Sequence, residues 1–249
     1  MVHGIDKFKT EFSQYAEQYV LIGGSACSLI LEDLNSEFRA TKDLDIVLVV
    51  EALKEDFVKT FCDFVEKGGY EHINKNKENQ YYRFSKPKTD NYPAILELFS
   101  RKPEYLKSIE TRLAPIHVSD DVISLSAILL DDDYYNLIAK GSFNVDNISV
   151  LRIEYLLLFK MKAWLDLSER KNKGENIDSK DIKKHKNDVI RLAINIDSDT
   201  SVAIPDRIKE DAKRFLTEIK DNPVDLKSLK ISNIKHSDII ERIETCFGL

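Results

Sequence analysis

Residues 19–51 read YVLIGGSACSLILEDLNSEFRATKDLDIVLVVE. A short apolar strand over 19–22 runs into Gly23-Gly24-Ser25, and a helix is predicted from 25 to 33. A connection carrying Arg39 and Thr41 follows, and then Asp43-Leu44-Asp45 opens a strongly apolar strand over 43–50. Successive strand side chains point to opposite faces, so Asp43, Asp45, Val47 and Val49 share one face and Leu44, Ile46, Leu48 and Val50 the other. A strand apolar on both faces belongs in the middle of a sheet. An unpaired carboxylate at the edge of a core is costly or takes up a proton. Two together repel, and a divalent cation is the common remedy; Mg²⁺ often takes a carboxylate pair plus substrate phosphates. A Gly-Ser turn into a helix offers backbone N–H groups to an anion. Gly24 and Ser25 are therefore candidate phosphate contacts, and Ser25 also suits the N-cap. Arg39 either adds charge to the phosphates or pairs with Glu37. Alone, Asp-x-Asp reads as a loop end; behind a glycine turn at this spacing it reads as a metal site.

Moving outward, Glu97 is the one charged residue of the strand-like stretch YPAILELFS, residues 92–100. It is either an edge residue facing water or a third carboxylate, acting as metal ligand and general base. Residues 80–84 form a neighbouring strand whose Arg83 would touch phosphate or pair with Glu97. A short edge strand is expected at 116–118. Helices are predicted at 5–18, with Phe8, Phe12 and Tyr15 on one side, and at 52–66, stopped by Gly68-Gly69. The order points to an α+β protein: a small mixed sheet flanked by helices over residues 1–120, a bridge over 121–150, and a helical C-terminal lobe over 151–249.

The chain has 249 residues, 43% hydrophobic and 32% charged, with a formal net charge of -6. This excludes a uniformly basic nucleic-acid-binding surface, though not a local patch. Cys27, Cys62 and Cys246 are too far apart for a zinc knuckle or a disulfide framework. The first residues lack the apolar core of a signal peptide, and no apolar run suits a membrane span, so a cytoplasmic protein without membrane partners is expected.

The C-terminal half is helical, with helices predicted at 153–170, 179–195, from Pro205 to 220, and at 236–247. Lys160 falls inside the apolar arc set by Leu157, Met161 and Trp164. It either snorkels outward or reaches across a cleft to a phosphate. Asp178 is the expected N-cap of the next helix, with Asp181 completing a capping box. His185 is expected at the surface or in a hydrogen bond. The acidic run Asp131–Asp133 reads as a helix start. Arg170, Lys171, Lys173, Lys180, Lys183, Lys184 and Lys186 cluster, either as a solvated face or as a seat for a polyanion such as RNA.

With these residues in place, the chain resembles the AbiEii/AbiGii-toxin-type nucleotidyltransferases of the DNA polymerase β-like superfamily. The resemblance rests on GGSA (23–26), RATKDLD (39–45), LELF (96–99), FKMKA (159–163) and SKDI (179–182), and covers most of residues 19–191. It implies the nucleotidyltransferase fold, two Mg²⁺ ions with Mn²⁺ as a substitute, and an NTP donor. Asp43 and Asp45 would hold metal and Ser25 would contact phosphate. Lys160 would match the family's lysine, and Asp181 the acid that follows a basic residue, here Lys180. The family often has a second acid shortly afterwards; here Lys183, Lys184 and His185 intervene before Asp188. In some members the acceptor is the 3′ end of tRNA and a cognate antitoxin neutralises the enzyme, which implies a toxin-like role. Two rivals share the pattern: a small-molecule adenylyltransferase of the aminoglycoside or lincosamide type, and a catalytically silent interaction module.

Overall fold

The strand opened by Asp43 lies within a sheet, with a neighbour on each side. The computed structural model describes residues 2–34, 36, 38–49, 51–73, 81–100, 128–129 and 131–249. Its seven strands are β1 (Tyr19–Ile22), β2 (Asp43–Leu48), β3 (Glu71–Ile73), β4 (Tyr81–Ser85), β5 (Ile95–Phe99), β6 (Ser142–Val145) and β7 (Ile148–Leu151). They form one mixed sheet in the order β3-β4-β5-β2-β1-β7-β6. β2 runs parallel to β5 and antiparallel to β1, while β1 runs parallel to β7. The expected strand at 116–118 lies outside the described residues.

Eight α-helices occur among the described residues: α1 (Ile5–Phe12), α2 (Gly23–Asp33), α3 (Glu55–Gly68), α4 (Asp132–Gly141), α5 (Ile153–Asn172), α6 (Ser179–Ala193), α7 (Asp206–Asp221) and α8 (His236–Phe247). No helix among them is long and apolar enough to cross a membrane. The chain divides into two compact units. One comprises Met1–Ser119 with Asn136–Arg152, the other Asp120–Tyr135 with Ile153–Leu249.

In the first unit, aromatic residues at helical spacing hold the sheet. Phe8 and Phe12 of α1 stack at 4.4 Å, and Phe8 meets Tyr19 of β1 edge-on at 5.4 Å. Phe61 of α3 reaches Phe84 of β4 at 5.6 Å. All five rings are essentially inaccessible. Each is worth about 1.5–3 kcal/mol of burial. α1 stops at Phe12, short of the predicted 18, because a 3₁₀ turn over Ser13–Tyr15 and the Gln18 N–H on the Tyr15 carbonyl swing the chain into β1. α3 ends as predicted, at Gly69 with φ of 62°.

The segment read as a bridge supplies more than a connection. Asp131 accepts from the N–H groups of Asp133 and Tyr134 and so caps α4, the helix start expected of the acidic run. β6 and β7 then form a hairpin in which Val145 pairs with Ile148. The two residues between them, Asp146 and Asn147, both have positive φ, 53° and 65°. That is the primed turn whose twist suits a two-residue hairpin.

The second unit is built on α5. Trp164 meets Phe215 of α7 edge-on at 5.3 Å, and α6 packs along α5. Lys160 neither snorkels nor reaches outward. Its Nζ lies 3.2 Å from Asp188 Oδ2, with side-chain exposures of 7% and 0%. His185, expected at the surface or in a hydrogen bond, is buried with Asp188 on the inner face of α6. A second pair joins Lys162 Nζ to Asp211 Oδ2 at 2.8 Å, and Asp211 also accepts from the Tyr134 hydroxyl.

A buried ion pair is expensive to break and cheap to replace. Asp188→Ala is therefore expected to destabilise the protein by about 3–5 kcal/mol, whereas the double variant Lys160→Met with Asp188→Leu recovers most of that loss. Urea unfolding of the wild type, both single variants and the double variant measures the difference. Equal losses in the single and double variants would refute the pairing.

Candidate active site

Strand register brings the predicted carboxylates together. Asp45 stands opposite Ile22 on β1 and opposite Glu97 on β5, and Glu97 stands opposite Arg83 on β4. Directly opposed residues share a face, so Ile22, Asp45, Glu97 and Arg83 form one row across four strands. Asp43 lies on the same face, opposite Ile95. Glu97 is 3% exposed, and β5 lies between β4 and β2, so the water-facing edge position considered for it does not hold.

The Arg83 Nη1 donates to Glu97 Oε1 at 2.6 Å. Glu97 also shares a hydrogen bond with the Asp45 carboxyl. Burial, and then the charge and hydrogen bond of Asp45, push the Glu97 carboxyl well above the ordinary range. The Arg83 guanidinium opposes this, and the Asp43 charge adds to it.

The glycine turn fits against this row. Gly23 has φ of +66°, and a Cβ on it would lie 1.7 Å from Asp45 Oδ2. It is therefore glycine for its backbone conformation and for its neighbour. A Cβ on Gly24 would lie 2.8 Å from Thr41 Oγ1 and 3.4 Å from Arg39 Nη2. Arg39 and Thr41 thus stand beside the first turn of α2. That helix begins at Gly23 with no side-chain cap, and its first N–H groups have no partner within the helix. Ser25 is not its N-cap: it is fully buried, and its hydroxyl donates to the Ile22 carbonyl at 3.3 Å. The backbone of the turn, with Arg39, is what an anion would meet.

Lys160 and Asp181 belong to the second unit, where Lys160 is held by Asp188. Asp181 is half-buried in the first turn of α6, whose N-cap Asp178 accepts from the Lys180 N–H at 2.9 Å. Of the basic cluster, Arg170 pairs with Glu175, Lys171 contacts Ser179, and Lys186 donates to the Asn222 carbonyl. Lys173, Lys180 and Lys183 are exposed. The residues missed from sequence are Gly23, whose signal was the doubled glycine, and Asp188, whose signal was its place three after His185 on the inner face of α6.

Among the described residues, no group of three or more His, Cys, Asp or Glu side chains stands ready-made around a metal ion. Asp45 and Glu97 touch each other instead. The donor set nevertheless fits a hard divalent cation: Asp43, Asp45 and Glu97 offer carboxylate oxygens on one face, and the repulsion that raises the Glu97 carboxyl is what such a cation would relieve. Mg²⁺ is commonly bound by one or two carboxylates together with substrate phosphates, so a closed three-ligand cage is not required. Compared with known proteins, the chain matches no family model and no curated protein.

Glu97 binds its proton more tightly folded than unfolded. The stability this contributes is present below the ordinary glutamate pKa and is lost as pH rises toward the folded value. In EDTA, the stability of Glu97→Gln relative to wild type is expected to grow from pH 5 to pH 8, by at most about 1.4 kcal/mol per pH unit. Urea unfolding at both pH values tests this, and a pH-independent difference would contradict it. Gly23→Ala is expected to cost about 1 kcal/mol or more through its left-handed backbone alone, before the clash with Asp45 is counted; thermal unfolding reads the loss.

Proposed function

We propose that the protein is a metal-dependent nucleotidyltransferase, with the nucleotidyltransferase fold in its first unit, moving an NMP from an NTP to an acceptor hydroxyl. The observation that carries this reading is the set of three carboxylates, Asp43, Asp45 and Glu97, on one sheet face against the glycine turn. The resemblance in GGSA, RATKDLD and LELF supports it.

In this reading Asp43 and Asp45 hold Mg²⁺ or Mn²⁺, whose chemistry is to neutralise phosphate charge and lower the pKa of the attacking hydroxyl. The backbone of Gly23 and Gly24 and the Arg39 guanidinium bind the triphosphate. Glu97, kept basic by burial and aimed by Arg83, accepts the proton of the acceptor hydroxyl. The acceptor oxygen bonds to the α-phosphorus, the bond from that phosphorus to the bridging oxygen breaks, and pyrophosphate leaves in line. Gly23 gives Asp45 room to lie against the turn. An RNA 3′ end as acceptor, and a toxin-like role opposed by an antitoxin, are the corresponding biological proposals.

Asp43→Ala and Asp45→Ala are each expected to lower NMP transfer by at least about a thousandfold, within the several kcal/mol that metal-borne charge stabilisation supplies. They should also abolish the thermal stabilisation that Mg²⁺ and ATP together give the wild type. Labelled NTPs incubated with total RNA, alongside a melting assay, measure both. Full transfer in either variant would refute the assignment.

A further inference from the structure

Residues 222–235 join α7 to α8 within the second unit, and of their side chains only Leu229 is buried. The far half of this strap closes on itself. The Leu229 and Ile231 N–H groups donate to the Leu226 carbonyl at 3.1 and 2.9 Å, and Arg191 of α6 donates to the Leu229 carbonyl at 3.4 Å. The near half is tied at two points. The Asn222 carbonyl accepts from the Lys186 Nζ of α6, and the Val224 N–H donates at 3.2 Å to Nε2 of His236, the first residue of α8. The Lys186 Nζ stands 5.9 Å from the ring centre of Trp164 on α5, the single tryptophan of the chain.

A ring nitrogen that accepts a hydrogen bond carries no proton, so the His236 imidazole is neutral, with its hydrogen on Nδ1. A second proton would go to Nε2 and set an N–H against the Val224 N–H. We propose that His236 is a pH-operated latch: neutral, it holds the near half of the strap in place, and protonation in mildly acidic solution releases residues 222–226. The latch lies in the second unit and stands apart from the chemistry of the first.

The charges around the ring resist its protonation. Burial, and then the Lys186 ammonium, hold the His236 imidazole below the ordinary histidine range. His236 also sits in the first turn of α8, where the positive end of the helix dipole opposes an imidazolium. The nearby carboxylates are engaged elsewhere. Glu218 of α7 acts on Lys186. Asp238, on the same helix as His236, accepts from the Lys235 N–H and the Ser237 hydroxyl, and Asp225 of the strap accepts from the Lys227 N–H. His236 therefore binds a proton less tightly folded than unfolded. The stability that the latch contributes is complete above the ordinary histidine pKa and is lost as pH falls toward the lower folded value. An imidazolium would also repel the Lys186 ammonium, so opening the first tie loosens the second, and with it the cation over Trp164.

The test follows the ¹⁵N-labelled full chain from about pH 8 to about pH 5 by amide hydrogen exchange, imidazole ¹⁵N shifts and Trp164 fluorescence. At the upper pH the imidazole is expected as the Nδ1–H tautomer. At the lower pH the Val224 amide is expected to lose protection by at least about tenfold, with a change in Trp164 emission. The amide of Val189, fully buried on α6, should stay protected throughout. In His236→Gln, whose side-chain carbonyl takes the same bond at any pH, Val224 protection should be equal at both ends of the range. In His236→Ala it should be low at both. In Lys186→Met the imidazole should take up its proton at higher pH than in the wild type. An Nε2–H tautomer at the upper pH, unchanged Val224 protection, the same pH-dependent loss in His236→Gln, or loss at Val224 only together with Val189 would overturn the latch.

Discussion

Asp45 and Glu97 are set side by side by the parallel pairing of β2 and β5, Glu97 buried and Asp45 half-buried. Two ionised carboxylates cannot share that position without a counter-charge. The neighbouring groups divide accordingly. Arg83 supplies one positive charge from β4, and Asp43 adds a negative one from the same strand as Asp45. The raised Glu97 carboxyl reflects that crowding of negative charge, and a bound cation would act on it in the opposite direction.

The backbone around the row is shaped to let those groups approach. Gly23 bends in the left-handed region and leaves no space for a side chain between itself and Asp45. Arg39 and Thr41, reached through the irregular connection before β2, come to rest over Gly24. The result is a short stretch of main chain and one guanidinium beside three carboxylates. Conserving such a face inside a sheet costs stability, because an apolar strand in the same place would need none of these compensations.

The sheet and its carboxylates were legible because they obey a period of two, and because a charged residue within an apolar strand is conspicuous at any depth. Asp43, Asp45 and Glu97 could be aligned on that basis. Register was the step that no single strand reveals: only pairing shows that Arg83 and Glu97 face each other. The β6–β7 hairpin was read as a connection because its strands are four residues each, although the Asp146-Asn147 turn between alternating residues is a hairpin signal. Ser25 was read as a cap because serine favours that position, yet the helix starts two residues earlier at a glycine. Lys160 was seen to be anomalous, but its partner lies on another helix, and a pair between helices has no signature in spacing.

The placement of β7 has a consequence for how the chain is made. β1 is buried on both faces and lies between β2 and β7, yet β7 comes more than a hundred residues after it. While the chain emerges from the ribosome, β1 can pair with β2 early, but its other edge waits for residues 148–151. During that interval an apolar strand presents unpaired N–H and C=O groups, the condition under which edge-to-edge association is most favoured. The first unit is thus discontinuous in sequence and late in completion, and a fragment ending near residue 120 would carry that open edge permanently.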